Sequence, residues 1–304
     1  MGNLSRRAGA LLASLMMLGV AACGGAASTA GSDQFSCPNG GTVRMGVEPF
    51  EDASTLVPLY QQIGDKLSSK LGCKIQMNVT TNYTAEVEAM RSKTLEVGEF
   101  GPLGYIFAKQ LAHAEPVATF ADTSGQPLTY YASIVTYPGS GINTLKDVAG
   151  KKFAYSDAAS TSGHLFPAYA LRKVGIDPDT GVQPIYAGSH TASFEAIKNK
   201  KVDAGELNSD RITAATKSGE YTAAAFPTLW KSDPIPQDPI TVRGDLPSAF
   251  KKKFTDSLLS IDLSSVQDPK GVLIGSRLTA QTDAPYQQIR DLVSVLNIDV
   301  NKIG

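Results

Sequence analysis

The feature that most constrains the fold is a repeated alternation of short apolar strands with amphipathic helices. Thr42–Val47 is predicted to form a strand, and a helix is predicted over 54–71 and ended by Gly72. The apolar residues of that helix recur at helical spacing: Leu56, Leu59, Tyr60, Ile63, Leu67 and Leu71. Strands at Lys74–Thr80 and Leu95–Phe100 follow, each leading into a further helix. This alternation predicts an α/β fold with a mainly parallel sheet.

The length of the chain indicates two lobes rather than one. It has 304 residues, which exceeds a typical single domain. We predict a first crossing between lobes at 130–137 and a return crossing at 230–243, where Pro234, Pro236 and Pro239 occur. The two helices predicted near the C-terminus should pack back on the first lobe. The predicted parts are a leader at 1–22, a lipidated cysteine and tether at 23–38, lobe 1 at 39–134 and 241–304, and lobe 2 at 135–240.

The N-terminus resembles a bacterial lipoprotein leader. Arg6 and Arg7 precede an apolar stretch from Ala8 to about Val20, and small residues then lead directly into Cys23. The stretch is short for a membrane span, and cleavage would remove it. We therefore expect lipid on Cys23 to hold the protein on the extracytoplasmic face of the cell membrane. The alternative is a plain secretory signal with an incidental cysteine.

Two further cysteines, Cys37 and Cys73, remain after the leader. In an exported protein an even remainder favours a disulfide, although two free thiols are the alternative. The bond would tie the start of the mature fold to the end of the first long helix. Two cysteines without matching histidine spacing make a poor zinc site, and we expect neither a metal nor a cofactor.

The segment Ser160–His164 carries the clearest binding chemistry. The formal net charge is −1, so no global field attracts nucleic acid or an anionic membrane, and an anionic ligand needs local donors. Three consecutive hydroxyls follow a predicted strand and open a helix, whose first turn has unpaired N–H groups and a partial positive charge. Gly163 allows close backbone approach. This arrangement suits a tetrahedral oxyanion, whereas the alternative is an ordinary helix cap.

Four motifs, in order, resemble the phosphonate-binding family of periplasmic proteins, which serve ABC transporters for phosphonates, phosphite and, in some members, phosphate. They are Leu95–Leu103, Ser160–Gly163 with Pro167, Gly188–His190 and Ile235–Ile240. The resemblance implies a type II two-lobed periplasmic-binding-protein fold with two mixed sheets flanked by helices and two hinge crossings. It also implies a monomer whose partners are an ABC permease and its ATPase.

The resemblance assigns ligand contacts as well. Ser160, Thr161 and Ser162 would bind the phosphorus oxygens, and Tyr83 would donate its hydroxyl. His190 would donate to an oxygen, unless it is a core histidine. Phe100 stands where many relatives have an aromatic residue, often Tyr, and it would supply an apolar wall without a hydroxyl. Such a wall mildly disfavours phosphate.

Two carboxylates also match positions of the family's site. Asp210 and Asp238 would accept a hydrogen bond from a protonated P–OH or pair with an ammonium group of the ligand. The alternative for Asp210 is a surface ion pair with Arg211. We expect no Lys or Arg in the pocket. Glu48 and Glu99 lie near strand ends, and we expect both at the surface.

Two other function classes compete with ligand capture. A hydrolase would need a nucleophile elbow or clustered metal ligands, but the sequence has no Gly-x-Ser-x-Gly and only three histidines. A sensory ligand-binding protein would need a membrane span and an output domain, which we do not expect here. The sequence therefore predicts a solute-binding lipoprotein without catalytic activity, and it leaves open phosphate, phosphite or an organophosphonate as ligand.

Overall fold

The computed structural model describes residues 34–273 and 275–299, in which helices flank two mixed sheets. The leader and the predicted lipidation site at Cys23 lie outside the described residues. The strands are β1 Thr42–Val47, β2 Lys74–Val79, β3 Val97–Glu99, β4 Glu115–Ala121, β5 Thr129–Tyr130, β6 Ala132–Thr136, β7 Lys152–Tyr155, β8 Gln183–Tyr186, β9 Ala204–Asn208, β10 Thr228–Lys231, β11 Ile235–Pro236, β12 Pro239–Val242 and β13 Arg277–Ala280. The helices are α1 Ala53–Leu71, α2 Tyr83–Arg91, α3 Pro102–Ala112, α4 Phe166–Lys173, α5 His190–Lys198, α6 Ser209–Lys217, α7 Ser248–Leu259 and α8 Gln287–Leu296.

The first sheet has six strands in the order β13-β4-β12-β3-β1-β2. β1 pairs in parallel with β2 and β3, as the strand–helix alternation predicts. The other pairings, of β12 with β3 and β4 and of β13 with β4, are antiparallel. The expectation of a mainly parallel sheet is therefore wrong here. The reason is that β12 and β13 enter this sheet from the C-terminal part of the chain rather than through a strand–helix–strand crossover.

The second sheet has five strands in the order β10-β6-β9-β7-β8 and is mixed as well. β7 pairs in parallel with β8 and β9, whereas β6 pairs antiparallel with β9 and β10. We call the part built around the six-stranded sheet the first lobe and the part built around the five-stranded sheet the second lobe. The chain thus has the two-lobed architecture of a periplasmic binding protein.

The two crossings between the lobes run side by side. β5 lies in the first crossing and β11 in the return crossing, and the two pair antiparallel, with Tyr130 opposite Ile235. The return segment is also fixed to the second lobe, because the Ala132 N–H donates to the Ser232 hydroxyl at 3.0 Å. Hydrogen bonds between the crossings make them a single two-stranded connection.

The two C-terminal helices differ in how they pack. Phe250 and Phe254 of α7 join the core that contains Leu56 of α1, so α7 packs on the first lobe as expected. By contrast, α8 packs on α3 of the first lobe and also on α4 of the second. The prediction that both helices pack on the first lobe is therefore incomplete for α8, which contacts both lobes.

A disulfide joins Cys37 to Cys73 across 36 residues of sequence. Cys73 is buried directly after α1, in the core of the first lobe. The predicted bond is confirmed, and it anchors the start of the described chain to the end of α1. None of the helices within the described ranges is long and apolar enough to cross a membrane.

Replacing Cys37 with Ser should lower the free energy of unfolding by about 2–4 kcal/mol, because the open chain gains conformational entropy. Urea denaturation of the oxidised proteins measures the difference. Wild-type protein treated with a reducing agent should unfold at the midpoint of the variant. Equal midpoints for oxidised wild type and variant would show that the bond contributes nothing.

Candidate functional site

A cavity of about 50 Å³ lies where the two lobes meet. Seven of the eight predicted ligand contacts line it: Tyr83, Ser160, Thr161, Ser162, His190, Asp210 and Asp238. The folded chain therefore brings residues that are far apart in sequence to one enclosed place. Whether each of them touches a ligand stays a prediction.

The hydroxyl segment starts the helical run that becomes α4. Residues Thr161–Leu165 form a π-helical turn, and the Ser160 hydroxyl caps it by accepting the Gly163 N–H at 3.1 Å. Of the three hydroxyls, that of Ser160 therefore acts as an ordinary helix cap. π-Turns widen a helix and occur often at functional sites. A Cβ on Gly163 would stand 1.7 Å from the Ser156 hydroxyl oxygen, so only glycine permits this packing.

Thr161 joins the two lobes at the cavity. Its hydroxyl oxygen accepts the N–H of Leu103, in the first turn of α3, at 2.8 Å. The start of α3 in the first lobe therefore lies beside the start of the π-turn in the second. Because helix N-termini carry partial positive charge, both favour an anion between them.

His190 occupies the first position of α5 and is almost fully buried. Its Nδ1 lies 2.9 Å from an oxygen of Glu206. Burial lowers the pKa of His190, but the Glu206 carboxylate raises it, and the net result is above the ordinary histidine value. A protonated imidazole with Nδ1 held by Glu206 keeps a donor at Nε2.

Tyr83 is fully buried, and burial together with the Glu48 and Asp157 carboxyls raises the pKa of its phenol well above the ordinary value. Its hydroxyl therefore stays protonated as a donor. Phe100 is also fully buried, but it does not line the cavity. Its ring packs against Gly98, where a Cβ would stand 2.4 Å away. The predicted apolar wall at Phe100 is therefore not found. Apolar lining comes instead from other residues, namely Phe50, Leu59, Phe120, Val272 and Leu273.

Asp210 and Asp238 both face the cavity. Burial raises the pKa of Asp210, and it raises that of Asp238 well above the ordinary value with help from Glu99. Arg211 also lines the cavity, contrary to the expectation that no cation does. It forms its ion pair with Glu220, at 3.3 Å, rather than the surface pair with Asp210 that we considered.

Glu48 and Glu99 line the cavity too, so the expectation of surface positions is wrong for both. Each is 2% exposed. Glu48 accepts the Gly101 N–H with one oxygen, and Glu99 accepts the Tyr60 hydroxyl at 2.6 Å. The signal was present in the sequence. Glu48 follows β1 and Glu99 ends β3, and ligands of α/β sheets bind outside the carboxyl ends of parallel strands.

Carboxyls outnumber cations around this cavity. Glu86 lies behind it, and its carboxyl fills the space left by Gly46 and Gly98 of the adjoining strands β1 and β3. Burial raises the pKa of Glu48 and of Glu86 well above the ordinary carboxyl value, and neighbouring carboxyls raise both further. Burial raises the pKa of Glu99 to about 7. The cavity therefore offers protonated or hydrogen-accepting oxygens rather than a fixed positive field.

Within the described ranges, no three His, Cys, Asp or Glu side chains are arranged to hold a metal ion.

Comparison with known proteins places the chain in a family. The model of the periplasmic substrate-binding proteins of ABC phosphonate transporters matches residues 45–284. The chain belongs to this family.

Relatives and a solved structure agree with the family. The chain is 31% identical over 205 residues, 64% of each chain, to the phosphate-import protein PhnD of Mycolicibacterium smegmatis. It is 26% identical to the phosphonates-binding periplasmic protein of Escherichia coli, over 72% of this chain and 65% of that one. The match thus spans about two thirds of the length of these relatives. PhnD1 of Prochlorococcus marinus, solved with methylphosphonate, has a TM-score of 0.73 and 21% identity, over 84% of this chain and 98% of that one. It has the same fold.

The stability of the protein should rise as the pH falls from 7 towards 4.5. A carboxyl whose pKa is higher in the folded state, as for Glu99 at about 7 against 4.5, binds its proton more tightly when folded, so protonation favours folding. The contribution of Glu99 is on the order of 3 kcal/mol. Urea denaturation across this pH range measures it.

In the Glu99→Gln variant the free energy of unfolding should depend less on pH, because Gln does not titrate. Glu115→Gln, at an exposed position, is the control and should keep the wild-type slope. If Glu99→Gln kept the wild-type slope of unfolding free energy against pH, the raised pKa of Glu99 would be contradicted.

Proposed function

We propose that the protein is the extracytoplasmic solute-binding lipoprotein of an ABC importer and that it binds a small phosphorus oxyanion between its lobes. The observation that carries the proposal is the pairing of Thr161 with the first turn of α3, which brings two helix N-termini to one cavity. Membership of the phosphonate-binding family supports the same ligand class. The named relatives import phosphate and bind phosphonates.

The size of the cavity supports a small ligand. A water molecule needs roughly 10–15 Å³ of cavity volume. A cavity of about 50 Å³ therefore holds a few non-hydrogen atoms. Phosphate, phosphite and methylphosphonate have this size, whereas a long organic substituent would need a wider opening. The apolar lining residues Phe50, Leu59 and Phe120 favour a ligand with one non-polar group on phosphorus. Phosphite and methylphosphonate meet that condition better than phosphate does.

The lining also supports a hydrogen-bearing form of the ligand. Ser160, Thr161 and Ser162 supply hydroxyl donors on the second lobe. Glu48 and Asp238, which adjoin β1 and β12 of the first lobe, supply carboxyls, each with one oxygen that has no hydrogen-bond partner in the described part of the chain. Burial raises the pKa of both carboxyls, so neither acts as a fixed negative charge, and the free oxygen of each can accept a P–OH group.

We propose no catalytic activity. In a hydrolase, a serine would be activated by a histidine in hydrogen-bond contact. Here Ser160 serves as a cap, and among the described residues no serine hydroxyl bonds to the ring of His164 or His190, whose ring partners are Ala158, Tyr186 and Glu206. These roles fit capture and release better than turnover.

Replacing both Thr161 and Ser162 with Ala should weaken oxyanion binding by at least about 100-fold, because two donors are lost to a charged ligand in an enclosed site. Calorimetric titration with phosphate, phosphite, methylphosphonate and 2-aminoethylphosphonate measures the affinities and identifies the preferred ligand. Thr216→Ala, on the exposed side of α6, is the control. If the double variant kept wild-type affinity for every ligand, the role of the hydroxyl segment would be rejected.

We further propose that lipid on Cys23 anchors the protein to the outer face of the cell membrane, where a permease and its ATPase receive the ligand. The run of small residues before Cys23 supports this. A radiolabelled fatty acid fed to cells should label the wild type and the Cys37→Ser variant but not Cys23→Ser. Label on Cys23→Ser would rule out this cysteine as the attachment site.

A further inference from the structure

A second set of contacts joins the lobes, at the rim of the cavity. The segment Phe50–Glu51 precedes α1 in the first lobe, and α5 begins at His190 in the second. The carbonyl oxygen of Phe50 accepts the N–H of His190 at 3.1 Å. The Thr191 hydroxyl donates to the carboxylate of Glu51. Two hydrogen bonds therefore close the rim between segments about 140 residues apart.

The local structure of α5 prepares it for these contacts. The Ser189 side chain caps the helix by accepting the Ala192 N–H at 3.1 Å. The N–H of His190, two positions before Ala192, is left for a partner outside the helix, and the carbonyl oxygen of Phe50 accepts it. The carboxylate of Glu51 meets the positive end of the same helix, where a negative charge is favourable. Burial raises the pKa of Glu51, and the Thr191 hydroxyl and Arg211 act in the opposite direction.

Thr191 differs from its neighbours in one respect. Phe50, Glu51 and His190 all line the cavity, but Thr191 is not among the described residues that do. A change at Thr191 therefore alters the contact between the lobes without removing a group that faces the ligand. This separates closure of the lobes from recognition of the ligand.

We propose that Thr191 is a positioning residue, which latches the closed lobes through Glu51 and thereby sets how long a ligand stays bound. The inference rests on the proposed function, because it concerns release of the captured oxyanion. The latch forms only when the lobes are together, so it stabilises the closed state relative to the open one. Since the ligand enters and leaves through the open form, the latch slows release and does not speed entry.

The test compares two substitutions of one side chain. Thr191→Val keeps the shape and removes the hydroxyl, whereas Thr191→Ser keeps the hydroxyl. Radiolabelled methylphosphonate, phosphite and phosphate are bound and then chased with an excess of unlabelled ligand. Loss of one hydrogen bond to a charged group corresponds to release that is about tenfold faster or more. Thr191→Val should show this increase, by the same factor for all three ligands, with an association rate that is not lowered. Thr191→Ser should release at the wild-type rate.

Several outcomes would overturn the latch. One is an unchanged release rate in Thr191→Val. Another is an increase in release rate that differs between the three ligands. A third is the same increase in Thr191→Ser as in Thr191→Val. Thr216→Val removes a hydroxyl that bonds only within α6, to the Ile212 carbonyl at 2.7 Å, and it controls for loss of a threonine hydroxyl as such.

A measurement without ligand keeps the two proposals separate. Small-angle scattering of the ligand-free proteins should give a larger radius of gyration for Thr191→Val than for wild type and Thr191→Ser. If wild-type protein bound none of the three oxyanions, the proposed function would be rejected. The scattering measurement would still test the latch. Equal radii for wild type and Thr191→Val would reject the latch whatever the ligand.

Discussion

The arrangement of the site depends on one hydrogen bond across the cleft, from the Leu103 N–H to the Thr161 hydroxyl. It holds the start of α3 beside the start of the π-turn, so that two helix ends from different lobes meet at the cavity. Neither end alone would be more than an ordinary helix start. When the lobes are closed, both helix starts lie beside the cavity, and together they favour a negative charge there.

The second constraint is that several carboxyls are buried around the cavity, where few cations can neutralise them. Arg211 and His190, which line the cavity, already have acidic partners in Glu220 and Glu206. Ionised carboxyls without partners are expensive to bury, so Glu48, Glu86 and Glu99 hold their protons at higher pH than usual. The site thus combines hydroxyl donors with protonated carboxyls, each of which can donate with one oxygen and accept with the other. A ligand that carries both charge and hydrogen fits this combination best.

The sequence predicted the fold class and the position of the hydroxyl segment at a helix start, because both have local signals. β1 and α1 follow from apolar spacing, and Ser160–Gly163 from the chemistry of a helix start. The errors concern groups whose position depends on tertiary packing. Glu48 and Glu99 look like surface residues until the register of β1 with β3 is known, and Phe100 looks like a wall until its packing against Gly98 is seen. The position of Glu48 and Glu99 at strand ends does indicate the cleft, whereas the spacing of residues does not indicate how the ring of Phe100 packs.

The packing of α8 has a consequence for how such a molecule can move. A helix seated on both α3 and α4 cannot follow a simple rotation of the lobes without losing one of its two contacts. Motion that keeps both contacts requires side chains of α8 to slide over one neighbour, which is shear rather than pure bending. The paired crossings and α8 thus restrain the lobes at two separate places. Only a narrow set of paths between open and closed forms satisfies both restraints.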